Sequence, residues 1–264
     1  MLKNLRSKIE SKRHSSEIRW LIFVVLKDFL WFVYNIPNLS FKIILRYFRS
    51  MRRNLIMKKL IRGKRVLIIG SGPSAKNLKK IPDDVLVFTC KLAVKLFAEK
   101  NLGKIDLYFN YGSAIKRDYD HLIKYFPKTK VGFFLTDDID YVKTKKEFFS
   151  KVPQLISDSG QNNYYLKRLI KPYNINQIMG RSLAPHASSG MRLLQYALFF
   201  KAKEIYLIGV DLGNSGHFYG GKFKWRHQDI DENFMKIVSK KYKNIYSASK
   251  NSPITKYIKY KKLE

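Results

Sequence analysis

Short apolar runs rich in β-branched residues alternate with longer amphipathic stretches from residue 64 onward. This alternation predicts an α/β domain with a mostly parallel, Rossmann-like sheet flanked by helices. The predicted strands are 65–69, 85–89, 105–109, 130–135, 204–209 and 244–248. The predicted helices are 91–100, 114–125, 140–150, 161–171, 189–201 and 229–242. Because ligands bind at the carboxyl ends of parallel strands, we expect the loops after residues 69, 109 and 209 to carry the site.

The first 62 residues have a different pattern, in which aliphatic and aromatic runs are mixed with arginines and lysines. Residues 20–36 form an apolar run that is short for a membrane span and is interrupted by Lys27 and Asp28. Aromatic rings beside many cations are typical of a helix in the interface of an anionic membrane. We therefore predict a membrane-surface anchor over 1–62 and one α/β domain over 63–264. The alternatives for this arm are helices that pack on the domain and an RNA-binding segment.

Charge and cysteine content narrow the class of partner. The chain has 264 residues, 52 lysines and arginines against 20 acidic residues, and a formal net charge of +32. Such a charge favours nucleic acid, anionic lipid or phosphorylated substrates, without choosing among them. Cys90 is the only cysteine, which excludes an intrachain disulfide and favours the cytosol or its membrane face.

The turn "GSGPS" at 70–74 follows the first predicted strand and raises the question of a phosphate site. A strand, a glycine turn and a helix would present free backbone N–H groups and a helix N-terminus to an anion. An NAD site would need an acidic residue after the next strand, where this chain has Cys90 and Lys91. Pro73 also removes one N–H, and no Gly-Lys-Ser/Thr of a Walker loop follows the turn. The turn therefore predicts a site for a phosphate-bearing ligand other than NAD. The alternative is a tight turn that binds no ligand.

A second ordered set of motifs lies in the C-terminal half. It comprises "SSG" at 188–190, "EIYLIGVD" at 204–211, a glycine-rich loop with Tyr219, then His227, and "NS" at 251–252. Together with the glycine turn and Asn110, these motifs resemble in order and spacing the bacterial sialyltransferases of glycosyltransferase family 42. The resemblance covers about residues 64 to 258. It implies a single-domain α/β fold, a CMP-linked nonulosonic sugar as donor, transfer with inversion, and no metal or other cofactor.

The resemblance also implies roles for residues at matching motif positions. His227 resembles the general base, Tyr219 a phenol that supports the departing phosphate, and Ser188 and Ser189 the contacts to the sugar carboxylate. The implied donor-binding residues are Gly70, Ser71, Gly72, Ser74, Lys91, Asn110, Ser188, Ser189, Gly190, Asp211 and Ser252. Independently, an imidazole with a pKa near 6.5 suits proton abstraction from a hydroxyl near neutral pH. A phenol, backbone amides and cations can meet the charge of a leaving phosphate without a metal.

The chain departs from the family pattern at several donor positions. Ser71 and Lys91 stand where asparagine is usual, Gly213 replaces one of two phosphate-facing tyrosines, and His186 stands where arginine is common. The donor sugar therefore stays open among sialic acid, Kdo and other nonulosonic acids, and loss of activity is the alternative outcome of these departures. His217 lies near the predicted base in sequence, so the two histidines could exchange roles.

The sequence predicts a metal-independent inverting glycosyltransferase at the cytoplasmic face of the bacterial inner membrane. Its partners would be a CMP-sugar donor, an anionic membrane surface and a glycan or glycolipid acceptor such as lipooligosaccharide or capsule. Nucleic acid is not expected, and an oligomer stays open. One alternative is a non-catalytic basic protein that binds nucleic acid or lipid. Another is a nucleotide-dependent pyrophosphokinase with Mg²⁺ bound at Asp138 and Asp140. Asp211, at the end of a predicted strand, is expected to brace the loop that follows it.

Overall fold

The computed structural model describes residues 54–136, 155–157, 188–212, 216–220 and 228–264. Several sequence predictions lie outside these residues. They are the arm up to residue 53, the helices at 140–150 and 161–171, Asp138, Asp140, His186, Gly213 and the predicted base His227.

The described residues form one sheet of eight strands in which every neighbouring pair is parallel. The order across the sheet is β5-β4-β3-β2-β1-β6-β7-β8. The strands are β1 Arg65–Ile69, β2 Val85–Cys90, β3 Lys104–Phe109, β4 Lys130–Thr136, β5 Leu155–Ser157, β6 Glu204–Ile208, β7 Ile245–Ser247 and β8 Lys259–Tyr260. The six predicted strands and the parallel α/β class are confirmed. The sequence missed β5 and β8, which have only three and two residues.

The helices lie on both faces of this sheet. They are residues 54–61 (α1), Val94–Lys100 (α2), Gly112–Tyr125 (α3), Ser189–Phe199 (α4) and Gln228–Lys241 (α5). Short 3₁₀ helices span Pro73–Asn77, Lys91–Ala93, Phe126–Lys128 and Pro253–Lys256. The helix expected after the glycine turn is present only as the five-residue 3₁₀ helix at Pro73–Asn77.

Alternating side chains of the strands separate two apolar layers. In β1, Val66 and Ile68 belong to one layer, and Leu67 and Ile69 belong to the other. The first layer includes buried residues of α1, α4 and α5, whereas the second includes those of α2 and α3. The sheet is therefore covered on both faces, as parallel sheets usually are.

Helix α1 packs against the core of the α/β domain. Its Met57 and Ile61 are 0% exposed and pack in the first apolar layer. These residues fall in the segment assigned to the arm, so the α/β domain starts upstream of the predicted boundary at residue 63. Within the described ranges, no helix is both long enough and apolar enough to cross a membrane.

The sheet reverses its direction of winding between β1 and β6. From β1 the chain proceeds through β2, β3, β4 and β5 on one side, and it then returns to place β6 on the other side of β1. The carboxyl ends of both strands meet here, at Gly70 and Gly209. Ligands of doubly wound sheets bind at such a switch point.

The burial of α1 predicts unequal effects of two substitutions on the same helix. Met57→Ala should lower the free energy of unfolding by about 2–5 kcal/mol, because it leaves a cavity in the core. Leu55→Ala is the matched control, since Leu55 is 64% exposed, and should change stability by less than about 0.5 kcal/mol. Urea unfolding measures both values. Equal effects would show that α1 does not pack on the sheet.

Candidate functional site

The backbone of the glycine turn is bonded to the end of β6. The N–H of Gly70 donates to the carbonyl of Ile208 at 2.8 Å, and the N–H of Gly72 donates to the carbonyl of Gly209 at 2.7 Å. A Cβ at Gly70 would overlap the carbonyl oxygen of Gly209, and Gly209 itself has a φ of +68°. Glycine is therefore required at both positions by the close approach of two backbones.

A buried carboxylate locks the same contact. Asp211 accepts hydrogen bonds from the N–H of Ser74 at 2.8 Å, from the Ser74 hydroxyl at 2.5 Å and from the Ser252 hydroxyl at 2.6 Å. The Ser74 hydroxyl oxygen also accepts from the N–H of Gly209 at 2.7 Å. All three side chains are buried. Asp211 therefore braces its loop, as the sequence predicted.

These contacts change the interpretation of the glycine turn. We call the following residues the clasp: Gly70, Gly72, Ser74, Ile208, Gly209, Asp211 and Ser252. The backbone N–H groups at 70, 72 and 74 donate within the clasp, and Pro73 has none. The predicted cradle of free N–H groups is wrong for these positions.

Polar side chains line the turn instead. A hydrogen bond of 2.9 Å joins Ser71 Oγ and His217 Nδ1. The His217 ring stacks on Tyr219, with 4.8 Å between ring centroids and 20° between planes. The N–H of Phe218 donates to the carbonyl of Ser71 at 2.8 Å, which fixes this loop against the turn. The structure therefore brings a hydroxyl, an imidazole and a phenol together at the switch point.

Burial and nearby charges set the protonation of these groups. Burial lowers the pKa of His217, and the positive charges of Lys91 and Arg117 lower it further. Burial raises the pKa of Tyr219 to about 12. Near neutral pH the imidazole is therefore mostly neutral and the phenol keeps its proton. Both rings can then hydrogen-bond a ligand oxygen, within the field of two cations.

The ends of β2 and β3 supply two further predicted residues. Lys91 follows β2 with a φ of +51°, a conformation that is uncommon for a residue with a side chain, and its carbonyl accepts from the Tyr108 hydroxyl at 2.8 Å. Asn110 follows β3 and is fully buried. Its Nδ2 donates to the Tyr108 oxygen at 3.3 Å, and its Oδ1 has no hydrogen-bond partner among the described residues. This Oδ1 is thus available to a ligand donor.

The start of α4 carries the predicted "SSG" motif. Ser188 is the N-cap, and its hydroxyl accepts from the N–H of Met191 at 3.5 Å. Ser189 is buried, and its hydroxyl has no partner within the described part of the chain. Gly190 lies against Val210, where an added Cβ would come within 3.2 Å of a methyl carbon. Of the three, Ser188 caps the helix, Gly190 allows close packing, and Ser189 has a hydroxyl that can bind a ligand.

Asp231 in the first turn of α5 is a site residue that the sequence reasoning missed. It is 0% exposed, and its Oδ1 accepts from the N–H of Ser188 at 3.0 Å. Burial raises its pKa to about 6, although hydrogen bonds from Ser188 and the charge of Lys91 oppose the rise. A signal was present, because residue 231 shares the apolar face of α5 with Phe234 and Val238. An acidic residue on that face is unusual, but in "DIDEN" it resembled ordinary acidic residues of a helix start.

The described residues contain no group of three or more His, Cys, Asp or Glu side chains that could hold a metal ion. Asp138 and Asp140 lie outside the described residues. The prediction of metal-independent chemistry therefore remains a prediction.

The fold defined by this sheet is that of sialyltransferases. CstII from Campylobacter jejuni, solved with cytidine-5'-monophosphate, has a TM-score of 0.51 and 23% sequence identity, over 75% of this chain and 85% of that chain. A variant of CstII solved with CMP has a TM-score of 0.50 and 21% identity, over 75% and 86%. The α-2,3-sialyltransferase Cst-I from Campylobacter jejuni has a TM-score of 0.49 and 21% identity, over 75% and 80%. No protein-family model and no curated protein sequence matches the chain.

The clasp predicts a loss of stability when one hydroxyl is removed. Ser74→Ala deletes two buried hydrogen bonds and leaves the N–H of Gly209 without its acceptor. We expect the free energy of unfolding to fall by about 2–3 kcal/mol.

Ser71→Ala is the control from the same turn, because the Ser71 hydroxyl lies outside the clasp. It should change stability by less than about 1 kcal/mol. Chemical denaturation of both variants measures the difference, and equal stabilities would contradict the structural role of the clasp.

Proposed function

We propose that the protein is a glycosyltransferase that uses a CMP-linked sugar as donor. The observation that carries the proposal is the group of Ser71, His217 and Tyr219 beside Lys91, at the switch point of the sheet. Neutral hydrogen-bonding rings in a cationic field suit the phosphate of a nucleotide sugar. The fold shared with CstII, which has been solved with CMP, supports the same class of donor.

The reaction would be a single displacement at the anomeric carbon. An acceptor hydroxyl would attack this carbon, the bond to the phosphate oxygen would break, and CMP would leave with the electron pair. The Tyr219 phenol, which keeps its proton at neutral pH, and the Lys91 ammonium would stabilise the charge on the departing phosphate. His227 would take the proton of the acceptor hydroxyl, as the resemblance implies.

The finer proposal concerns the sugar and the acceptor. We propose that the sugar is a nonulosonic acid whose carboxylate lies near Ser189, with Asn110 as a further contact to the donor. Their buried and unpartnered oxygen atoms support this placement. The acceptor would be a glycan or glycolipid of the bacterial surface, modified at the cytoplasmic face of the inner membrane. The net charge of +32 would attract both the anionic donor and the anionic membrane.

This proposal predicts a selective response to nucleotides and to one histidine. CMP at a hundred times its dissociation constant should stabilise the protein by about 2.7 kcal/mol, whereas NAD and ADP should not. His227→Ala should abolish sugar transfer and leave the thermal shift with CMP in place. His121→Ala, at an exposed histidine of α3, should change neither property.

Thermal unfolding and a mass-spectrometric transfer assay with CMP-sugars measure these outcomes. Absence of a shift at millimolar CMP would refute the donor class. Full transfer by the His227 variant would refute the assignment of the base.

A further inference from the structure

A carboxylate of the protein already lies at the N-terminus of α4. Oδ1 of Asp231 accepts the N–H of Ser188 at 3.0 Å, and Ser188 is the N-cap of this eleven-residue helix. A helix N-terminus favours negative charge, because its first N–H groups lack acceptors within the helix. In the proposed function the sugar carboxylate binds near Ser189, so the carboxylate of Asp231 would be its neighbour.

Two buried oxygen atoms at this place have no hydrogen-bond partner among the described residues. They are Oδ2 of Asp231 and the hydroxyl oxygen of Ser189, and both residues are at most 2% exposed. A buried polar atom without a partner destabilises the folded protein, because its hydrogen bonds to water are lost and not replaced. Two such atoms at one helix end indicate a subsite for a polar group of a ligand.

A carboxylate ligand in this subsite would face the carboxylate of Asp231. Two carboxylates that share a poorly hydrated site do not both ionise, because repulsion and burial favour one shared proton. The proton must then come from solvent, and it would sit on Oδ2, which would donate to the sugar carboxylate.

We propose that Asp231 makes donor affinity dependent on pH, by taking up one proton when a carboxylate-bearing donor binds. The inference rests on the proposed function, because it assumes a nonulosonic donor at the start of α4. It adds a residue outside the motifs that carry the resemblance, together with a pH dependence of donor affinity.

The surroundings of Asp231 make this uptake accessible near neutral pH. Burial raises its pKa to about 6, and Lys91 at the end of β2 is the described charged residue that acts on it. On its own helix, Asp229 is exposed, and Glu232 is bonded to Gln228 and Tyr257. Above pH 6 the carboxylate is mostly ionised, so donor affinity should fall about tenfold per pH unit. Below pH 6 the affinity should be nearly constant.

The test is calorimetry of the full-length protein with CMP-3FNeuAc, the substrate analogue with which CstII has been solved and which carries the sugar carboxylate. Titrations between pH 5.5 and 7.5, in buffers of different ionisation enthalpy, report both affinity and the number of protons bound. The wild-type protein should take up about one proton at pH 7.5. Asp231→Asn keeps an oxygen acceptor for the N–H of Ser188 and should take up none, with an affinity that no longer falls above pH 6. Asp229→Asn is the matched control on the same helix and should behave like the wild type.

Parallel titrations with CMP distinguish failure of the inference about Asp231 from failure of the proposed function. CMP lacks the carboxylate, and its own phosphate titrates near pH 6, so only its affinity for the protein is used. If CMP and CMP-3FNeuAc both bind but the wild type takes up no proton, the inference is overturned and the proposed function stands. Proton uptake that persists in Asp231→Asn would also overturn it. If neither ligand binds, the proposed function fails and the inference fails with it. Should Asp231→Asn not fold, the wild-type proton count alone decides.

Discussion

The buried carboxylate of Asp211 is the constraint on which the rest of the structure depends. It holds the turn after β1 against the loop after β6 through the N–H and hydroxyl of Ser74, and it also binds the Ser252 hydroxyl near the C-terminus. A carboxylate away from water is tolerated only when hydrogen bonds satisfy it. Since two of its three bonds come from Ser74, the two strand ends cannot separate without breaking both of them. Hydrogen bonds therefore hold the two strand ends together at the switch point, where doubly wound sheets usually have a ligand crevice.

The hydrogen bonds between the two strand ends determine which groups can contact a bound nucleotide. Because the N–H groups at 70, 72 and 74 donate within the clasp, a phosphate at this edge of the sheet must be bound by other groups. Ser71, His217, Tyr219 and Lys91 are the described side chains in position for that task. The site is thus a set of side chains held by a rigid backbone contact, which differs from the glycine-loop cradle of dinucleotide sites.

The sequence predicted the sheet well because short, continuous apolar runs mark central parallel strands, which are buried on both faces. It missed β5 and β8, whose two or three residues are too short to produce a pattern. It also misread the glycine turn, because a motif does not reveal whether an N–H is free or already bonded across the sheet. The contact between Asp231 and Ser188 joins residues 43 positions apart, and no local pattern encodes such a distance. The resemblance to sialyltransferases did predict the fold, since its motifs cluster at the strand ends that the topology brings together.

The most direct test of this account is an experimental structure of the full-length protein with CMP. The account predicts a phosphate bound by the side chains of Ser71, Tyr219 and Lys91. The N–H groups of Gly70 and Gly72 should still donate to the carbonyls at the end of β6. A phosphate that accepts from these two N–H groups, with the clasp opened, would contradict it.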